Sequence, residues 1–299
     1  MNRSDRAAYL MLTGMAVAFG GTWVAAAVAV DAAPPFAIAA IRFGIASVLL
    51  FAWARISKRP LSPVRRRDIP IILGLALTAV AGYNWLFLTG LTLAPASDGA
   101  IIVPGLAPVF TLILAGLFLG ERLGPRGVLG LAVAAVGLLL VVSPSGVTDD
   151  RRLIGDLLFI TGALFWGVYS VLARVAHRRF DAVSTTLYGT ALGTLILVPP
   201  AIAEGGLGRV LAAPAGALAG IGYLAVFGTV AAFVLFNLGV ARIGAARASA
   251  FALLVPIIGV LSSVALLGET LGPFTLVGGL IVLAGLWIVE RRGAGTRAP

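Results

Sequence analysis

Ten runs of mostly apolar residues take up almost the whole sequence, each near the ~20 residues a helix needs to cross a bilayer. They fall at roughly residues 7–30, 35–54, 69–93, 97–119, 125–142, 153–175, 182–201, 214–240, 246–267 and 273–290. Chain inside lipid has no water to pair its N–H and C=O groups, so it must pair them within itself, as a helix. Composition agrees: 60% of the 299 residues are hydrophobic and 11% are charged, against roughly 25% charged in a soluble domain. The 38 glycines and 16 prolines are scattered through the apolar runs, where membrane helices tolerate them. The expected fold is all-α and integral to the membrane, with ten transmembrane helices.

The connections are short and leave no room for a separate domain. The first run follows Arg3 and Arg6, but its apolar stretch of about 24 residues exceeds the ~7–15 of a signal-peptide core, so it is expected to stay as a helix. With a cytoplasmic N-terminus, eighteen of the 22 Lys and Arg fall on the cytoplasmic side, Arg151, Arg152 and Arg209 fall outside, and Arg42 lies within a span. That positive-inside asymmetry puts both termini in the cytoplasm. It also accounts for the net charge of +10 through orientation and anionic lipid, with no nucleic-acid partner. Cysteine is absent and Lys58 is the sole lysine, which excludes Cys-based metal sites and a phosphate-binding P-loop. No metal or cofactor is implied.

A phrase recurs. Residues 119–125 read Leu-Gly-Glu-Arg-Leu-Gly-Pro and residues 267–273 read Leu-Gly-Glu-Thr-Leu-Gly-Pro, an offset of 148. At that offset Pro108 falls on Pro256, Gly130 on Gly278 and Gly137 on Gly285. Trp23 and Trp166 stand at a similar offset of 143. Each half then holds five helices, 1–147 and 148–292, followed by a cytoplasmic tail, 293–299. Five is odd, so the halves enter the membrane from opposite sides, the inverted-repeat pattern of many secondary transporters. Ten helices, the five-plus-five repeat and the Pro-then-Leu-Gly-Glu-x-Leu-Gly-Pro phrase resemble the drug/metabolite transporter superfamily, in its EamA branch. The finer resemblance is to bacterial aromatic amino-acid exporters. It implies export of small organic solutes; direction comes from the resemblance, not from residues.

The candidate cavity residues are aromatic and polar groups far from span ends. Trp23, Tyr83, Phe87, Trp166, Tyr169 and Phe233 sit deep within runs, whereas interfacial belts place Trp and Tyr at the ends. Tyr83 and Phe87, four apart, share one helix face, as do Trp166 and Tyr169, three apart; Trp85 points away. Asn84 and Asn237 suit interhelical hydrogen bonds or a ligand, and Ser97 is a further polar candidate. Ordinary interhelical packing is the alternative for this set. Arg42 lies about 10 Å deep. It either snorkels to the interface or meets a substrate carboxylate or a partner such as Asp31 or Asp98. All twelve acids read as lying near helix ends. Ser97 or Asp98 is expected to cap the fourth helix; the other reading of Asp98 is a charge contact or proton site. Glu121 and Glu269 are expected to be structural turn residues, compensated against the helix dipole by turn N–H groups or nearby arginines. Pro104, Pro108 and Pro256 are hinge candidates, with a static kink as the alternative. His177 reads as a solvated loop residue.

The function these features favour is an alternating-access exporter of small organic solutes, with aromatic amino acids first and a proton-coupled drug or metabolite exporter second. An intramembrane enzyme needs paired catalytic groups at depth, and none is seen; a membrane scaffold fits the repeat poorly. The expected partners are a small-molecule substrate and lipid, with a monomer favoured over a dimer.

Overall fold

The structure, a computed structural model, describes residues 3–120, 124–142, 150–243 and 250–290. Among them every regular element is a helix. The first rod is α1 (Arg3–Gly20) and α2 (Thr22–Val30), meeting at Gly21, and the second is α3 (Pro35–Ile56). The third runs through α4 (Ile69–Leu75), a π-helical stretch Ala76–Gly82 and α5 (Tyr83–Leu91). Then come α6 (Ala96–Leu119), α7 (Pro125–Val142), α8 (Asp150–Ala176) and α9 (Ala182–Ala203). A short α10 (Gly206–Leu211), which the apolar pattern does not announce, leads to α11 (Ala215–Ala225). A second π-helical stretch, Val226–Ala231, joins α11 to α12 (Ala232–Ile243), and α13 (Leu254–Leu267) and α14 (Pro273–Glu290) close the described chain.

Among the described residues, seven rods are long and apolar enough to cross a membrane, and three shorter apolar helices accompany them, Gly127–Val142, Phe251–Leu267 and Pro273–Ile288. The outer surface is apolar as well: Leu117 is 74% exposed, Phe118 73% and Leu266 72%. Such residues would associate in water but are at home in lipid. The chain is an all-α, multi-pass membrane protein.

Corresponding elements carry corresponding irregularities. Gly120 ends α6 and Gly268 ends α13, both left-handed, at φ 69° and 70°. They are the glycines of the two Leu-Gly-Glu phrases, and a side chain there would be strained. α7 and α14 pack together through glycine. A β-carbon added to Gly137 would sit 2.6 Å from the Gly278 carbonyl oxygen, and one on Gly285 2.7 Å from that of Gly130. The partners exchange crosswise, 137 with 278 and 130 with 285, so these helices run antiparallel and meet backbone to backbone. Elsewhere α3 packs on α9, α6 on α8 and α13, and α1 on α12 and α13.

One end of the bundle gathers the loops 57–65 and 177–181 with their basic residues. There Asp181 caps α9, accepting the amides of Val183 and Ser184 at 2.9 and 3.0 Å. Ser62 donates its amide to Ser184 Oγ at 2.9 Å and accepts the Tyr188 hydroxyl on its carbonyl at 2.6 Å. Burial alone would raise the Asp181 carboxyl, but these hydrogen bonds from Ser184, Ser62 and Val183 hold it below the usual carboxylate range. Arg179 pairs with Asp68 beside them. His177 is exposed.

The glycine seam makes a direct prediction. Gly278→Ala, which places a β-carbon 2.5 Å from the Gly137 carbonyl oxygen, should lower stability by about 1–3 kcal/mol. Gly216→Ala, which meets nothing within 4 Å, should be neutral or stabilising by about 0.5–1 kcal/mol. Thermal unfolding in detergent reads both, and equal midpoints would refute the backbone-contact account.

Candidate substrate cavity

The loosened stretches of the third and eighth rods face each other across the middle of the bundle. In a π-helical stretch the regular i to i−4 ladder is broken, and each freed carbonyl needs a donor. Asn84 supplies one, giving Nδ2–H to the Ala79 carbonyl at 2.8 Å. Thr229 supplies the other, giving its hydroxyl to the Leu224 carbonyl at 2.9 Å. Their side-chain oxygens also serve as acceptors for Arg42 of α3. Arg42 Nη1 donates to Asn84 Oδ1 at 3.1 Å, Nε to Thr229 Oγ1 at 3.2 Å and Nη2 to the Gly228 carbonyl at 3.4 Å. The guanidinium also lies 4.8 Å from the Phe43 ring centre.

Arg42 is 8% exposed and does not snorkel, a correction to one of the two sequence readings. It sits about 10 Å along the helix from its start, where three acceptors hold it. Asp31 and Asp98 are not its partners. Arg42 takes part in no ion pair among the described residues, and its acceptors are neutral.

Beside Arg42 lies a cavity of about 590 Å³, inside the ~300–1,000 Å³ of small-molecule sites. Trp23, Arg42, Tyr83, Asn84, Phe87, Trp166, Tyr169 and Phe233 line it, with Pro104 and Pro108 of α6. An aromatic chain forms one wall. Tyr83 stacks on Phe87 at 5.8 Å between ring centres, Trp166 stands 5.1 Å from Tyr83, and Tyr169 5.2 Å from Trp166. Trp23 closes the far end, edge-on to Phe87 at 5.0 Å and to Phe159 at 6.0 Å. It fits because Gly99 and Gly259 leave room; a β-carbon on either would lie 2.4 or 2.9 Å from its ring. Toward the basic end the lining continues through Ser170, Thr185 and Thr186. These hydroxyls, with Thr229, were not singled out in the sequence. Serine and threonine pair with their own helix carbonyls so often that nothing there distinguishes a lining residue. Trp85 is 41% exposed and stacks on Phe36 away from the cavity.

Other sequence candidates lie elsewhere. Ser97 and Asp98 are buried at the opposite end of the bundle and do not line the cavity. Neither side chain caps α6, a second correction: Pro95 at the cap position has no acceptor, and Asp98 is drawn aside by Arg152 in a two-pronged ion pair of 2.7 and 3.1 Å. The cap comes from far along the chain. Glu269 accepts the amides of Ala96 at 2.7 Å and Ser97 at 2.9 Å. Its compensation is therefore the positive end of α6 rather than its own turn. Glu204 does likewise for α3 through the Ala37 amide at 3.0 Å. Pro256 is buried on α13 beside Val255, which lines the cavity. Glu121 and the Asn237 side chain lie outside the described residues.

Comparison with known proteins places these features among transporters. An uncharacterized transporter of Bacillus subtilis (strain 168), YyaM, is 30% identical over 93% of this chain and 92% of its own length. A probable terminal-alkyne amino-acid exporter of Streptantibioticus cattleyicolor is 31% identical over 78% of this chain and 77% of its own. The uncharacterized inner membrane transporter YedA of Escherichia coli (strain K12) is 27% identical over 91% and 87%. A solved crystal structure of 20% identity shares the fold, with a TM-score of 0.62 over 95% of this chain and 98% of that one. The EamA-like transporter family model matches twice, at residues 6–143 and 153–291, and the chain belongs to that family of transporters rather than to any class of enzyme.

Proposed function

We propose that this protein exports small organic solutes bearing a carboxylate, with aromatic amino acids as the first substrate class, by alternating access across a bacterial inner membrane. The observation that carries this reading is Arg42: a buried guanidinium beside an aromatic-walled cavity, held by neutral acceptors and without a carboxylate partner among the described residues. A buried charge is costly until paired, so the site favours a solute that brings the missing anion. The side chain of that solute would meet Tyr83 and Trp166, whose rings offer stacking of about 0.5–1.5 kcal/mol each. The relative named as a probable amino-acid exporter points to the same class.

The architecture proposed is ten spans in two inverted five-helix repeats, residues 1–147 and 148–292. It is supported by the two family matches, by the left-handed glycines at the same offset and by the antiparallel seam of α7 and α14. The same support extends to the paired π-helical stretches. The density of arginine around loops 57–65 and 177–181 favours a cytoplasmic placement of that end, with both termini on the same side. The cavity reaches toward it, so the structure fits the inward-facing member of the alternating pair. Pro104 and Pro108 on the cavity wall are the proposed flexing points: each lacks an N–H and frees a carbonyl one turn back. Transport is expected from the single chain, with a dimer as the alternative.

Purified protein in liposomes tests this. Counterflow of labelled phenylalanine or tryptophan is expected. Trp166→Ala should raise KM by roughly fivefold, about 1 kcal/mol of lost stacking. Arg42→Gln should raise KM for the amino acid by roughly 30-fold, about 2 kcal/mol for a charged hydrogen-bonded contact. Its effect on the matching amino-acid amide, which lacks the carboxylate, should be small. Equal loss for acid and amide would refute the carboxylate role, and flux of cationic dyes with none of amino acids would overturn the substrate class.

A further inference from the structure

At the end of the bundle away from the basic loops, Glu269, Asp98, Arg152 and Asp156 lie close enough to act on one another, and the first three are matched. Glu269 accepts two amides of α6. Asp98, with its side chain 1% exposed, is held at both oxygens by Arg152, whose Nη2 also donates to Thr275 of α14 at 3.3 Å. Arg152 thus ties α6, α8 and α14 together. The fourth group is Asp156. It is 2% exposed, and its Oδ1 has no hydrogen-bond partner. It lies four residues after Arg152 on α8, on the same helix face. The groups that face it are Asp98 from α6, Arg152 from its own helix, and Glu269 beyond Asp98 from the loop before α14. From α5, the packed stretch Leu86–Leu91 brings no titratable side chain.

An ionised carboxylate with an unmatched oxygen, sealed from water beside another carboxylate, is far costlier than a neutral carboxyl in the same place. The geometry points to a proton-binding site at this end: closing it takes up one proton on Asp156, and releasing that proton opens it. The exchange is a simple one. With Asp156 neutral, Asp98 is the anion within reach of Arg152, and the tie across α6, α8 and α14 holds. When the proton leaves to water, Asp156 becomes a second carboxylate one turn from Arg152. It competes for the guanidinium within α8, and its solvation requires the end to open. The inference rests on the transport reading only in treating this end as a gate.

The natural chain has no cysteine, so one engineered thiol reports cleanly. Ser97→Cys places it at the sealed end, where Ser97 is 3% exposed; Thr92→Cys, in the exposed turn before α6, is the reference. The full chain in detergent is treated with a charged methanethiosulfonate at a series of pH values. The labelling rate of Ser97→Cys relative to Thr92→Cys is expected to fall on acidification, by up to about tenfold per pH unit for one proton. Adding Asp156→Asn should hold the ratio at its low-pH value throughout, and Asp156→Glu should restore the pH response. A flat ratio in the parent overturns the proposal, as does a slope that survives Asp156→Asn or that only Asp98→Asn removes. A response to sodium at constant pH would overturn it in favour of a metal cation. Because the readout is access rather than flux, absent transport with this response intact would sink the transport reading alone.

Discussion

Inside lipid no backbone group can turn to water, and the placement of everything else follows from that. The rods are continuous helices where they face the membrane. They loosen at Ala76–Gly82, at Val226–Ala231 and at Pro104 and Pro108, and residues of each of these stretches line the central cavity. In the π-helical stretches loosening is tolerable because protein groups answer freed carbonyls. Asn84 answers Ala79, Thr229 answers Leu224, and Arg42 reaches Gly228. The same side chains, fixed by that duty, present their oxygens as acceptors to the guanidinium. Backbone repair and charge placement are thus one arrangement, spanning a helix of the first half and the π-helical stretches of both.

Several charges follow a second rule: they are answered by partners distant in sequence. Glu269 sits on the start of α6, Glu204 on the start of α3, and Arg152 on Asp98. Helix N-termini carry a partial positive charge and unpaired amides, so an acid arriving from another loop serves as well as a local cap. It also fastens two elements together. Two groups break the rule. Arg42 has acceptors but no counter-charge, and Asp156 has an oxygen with no donor. One borders the cavity and the other the sealed end, the two places where a transporter must exchange partners with something that moves.

Much of the fold was legible because lipid simplifies the code. The apolar runs marked the rods, and the doubled Leu-Gly-Glu phrase marked the two left-handed glycines. Gly130, Gly137, Gly278 and Gly285 were legible only as matching positions of the repeat; that they meet crosswise in a seam came from the structure. Aromatic residues far from the span ends marked the cavity wall, since Trp and Tyr have little reason to sit in mid-membrane unless their polar tips find partners. What escaped was partner choice. Asp98 read as a cap because three residues into a helix is a capping neighbourhood, yet Arg152, 54 residues later, claims it. Asp156 read as one more acid near a helix end; seven residues into α8, it is buried. Thr229 carried no signal, because threonine within a membrane helix usually satisfies itself on its own backbone.

By itself, the sequence determined that this chain lives in a membrane as helices, that its halves echo one another, and that most of its basic residues sit in or beside the short connections. Those are properties of local composition and spacing: transfer free energy acts residue by residue, and a repeat is visible without contacts. Which helices touch, which carbonyls are freed, and which charges find or lack a partner were decided by the tertiary structure alone. Packing brings Asn84 and Thr229 to Arg42 across 42 and 187 residues of chain, and no local pattern encodes a meeting at that distance.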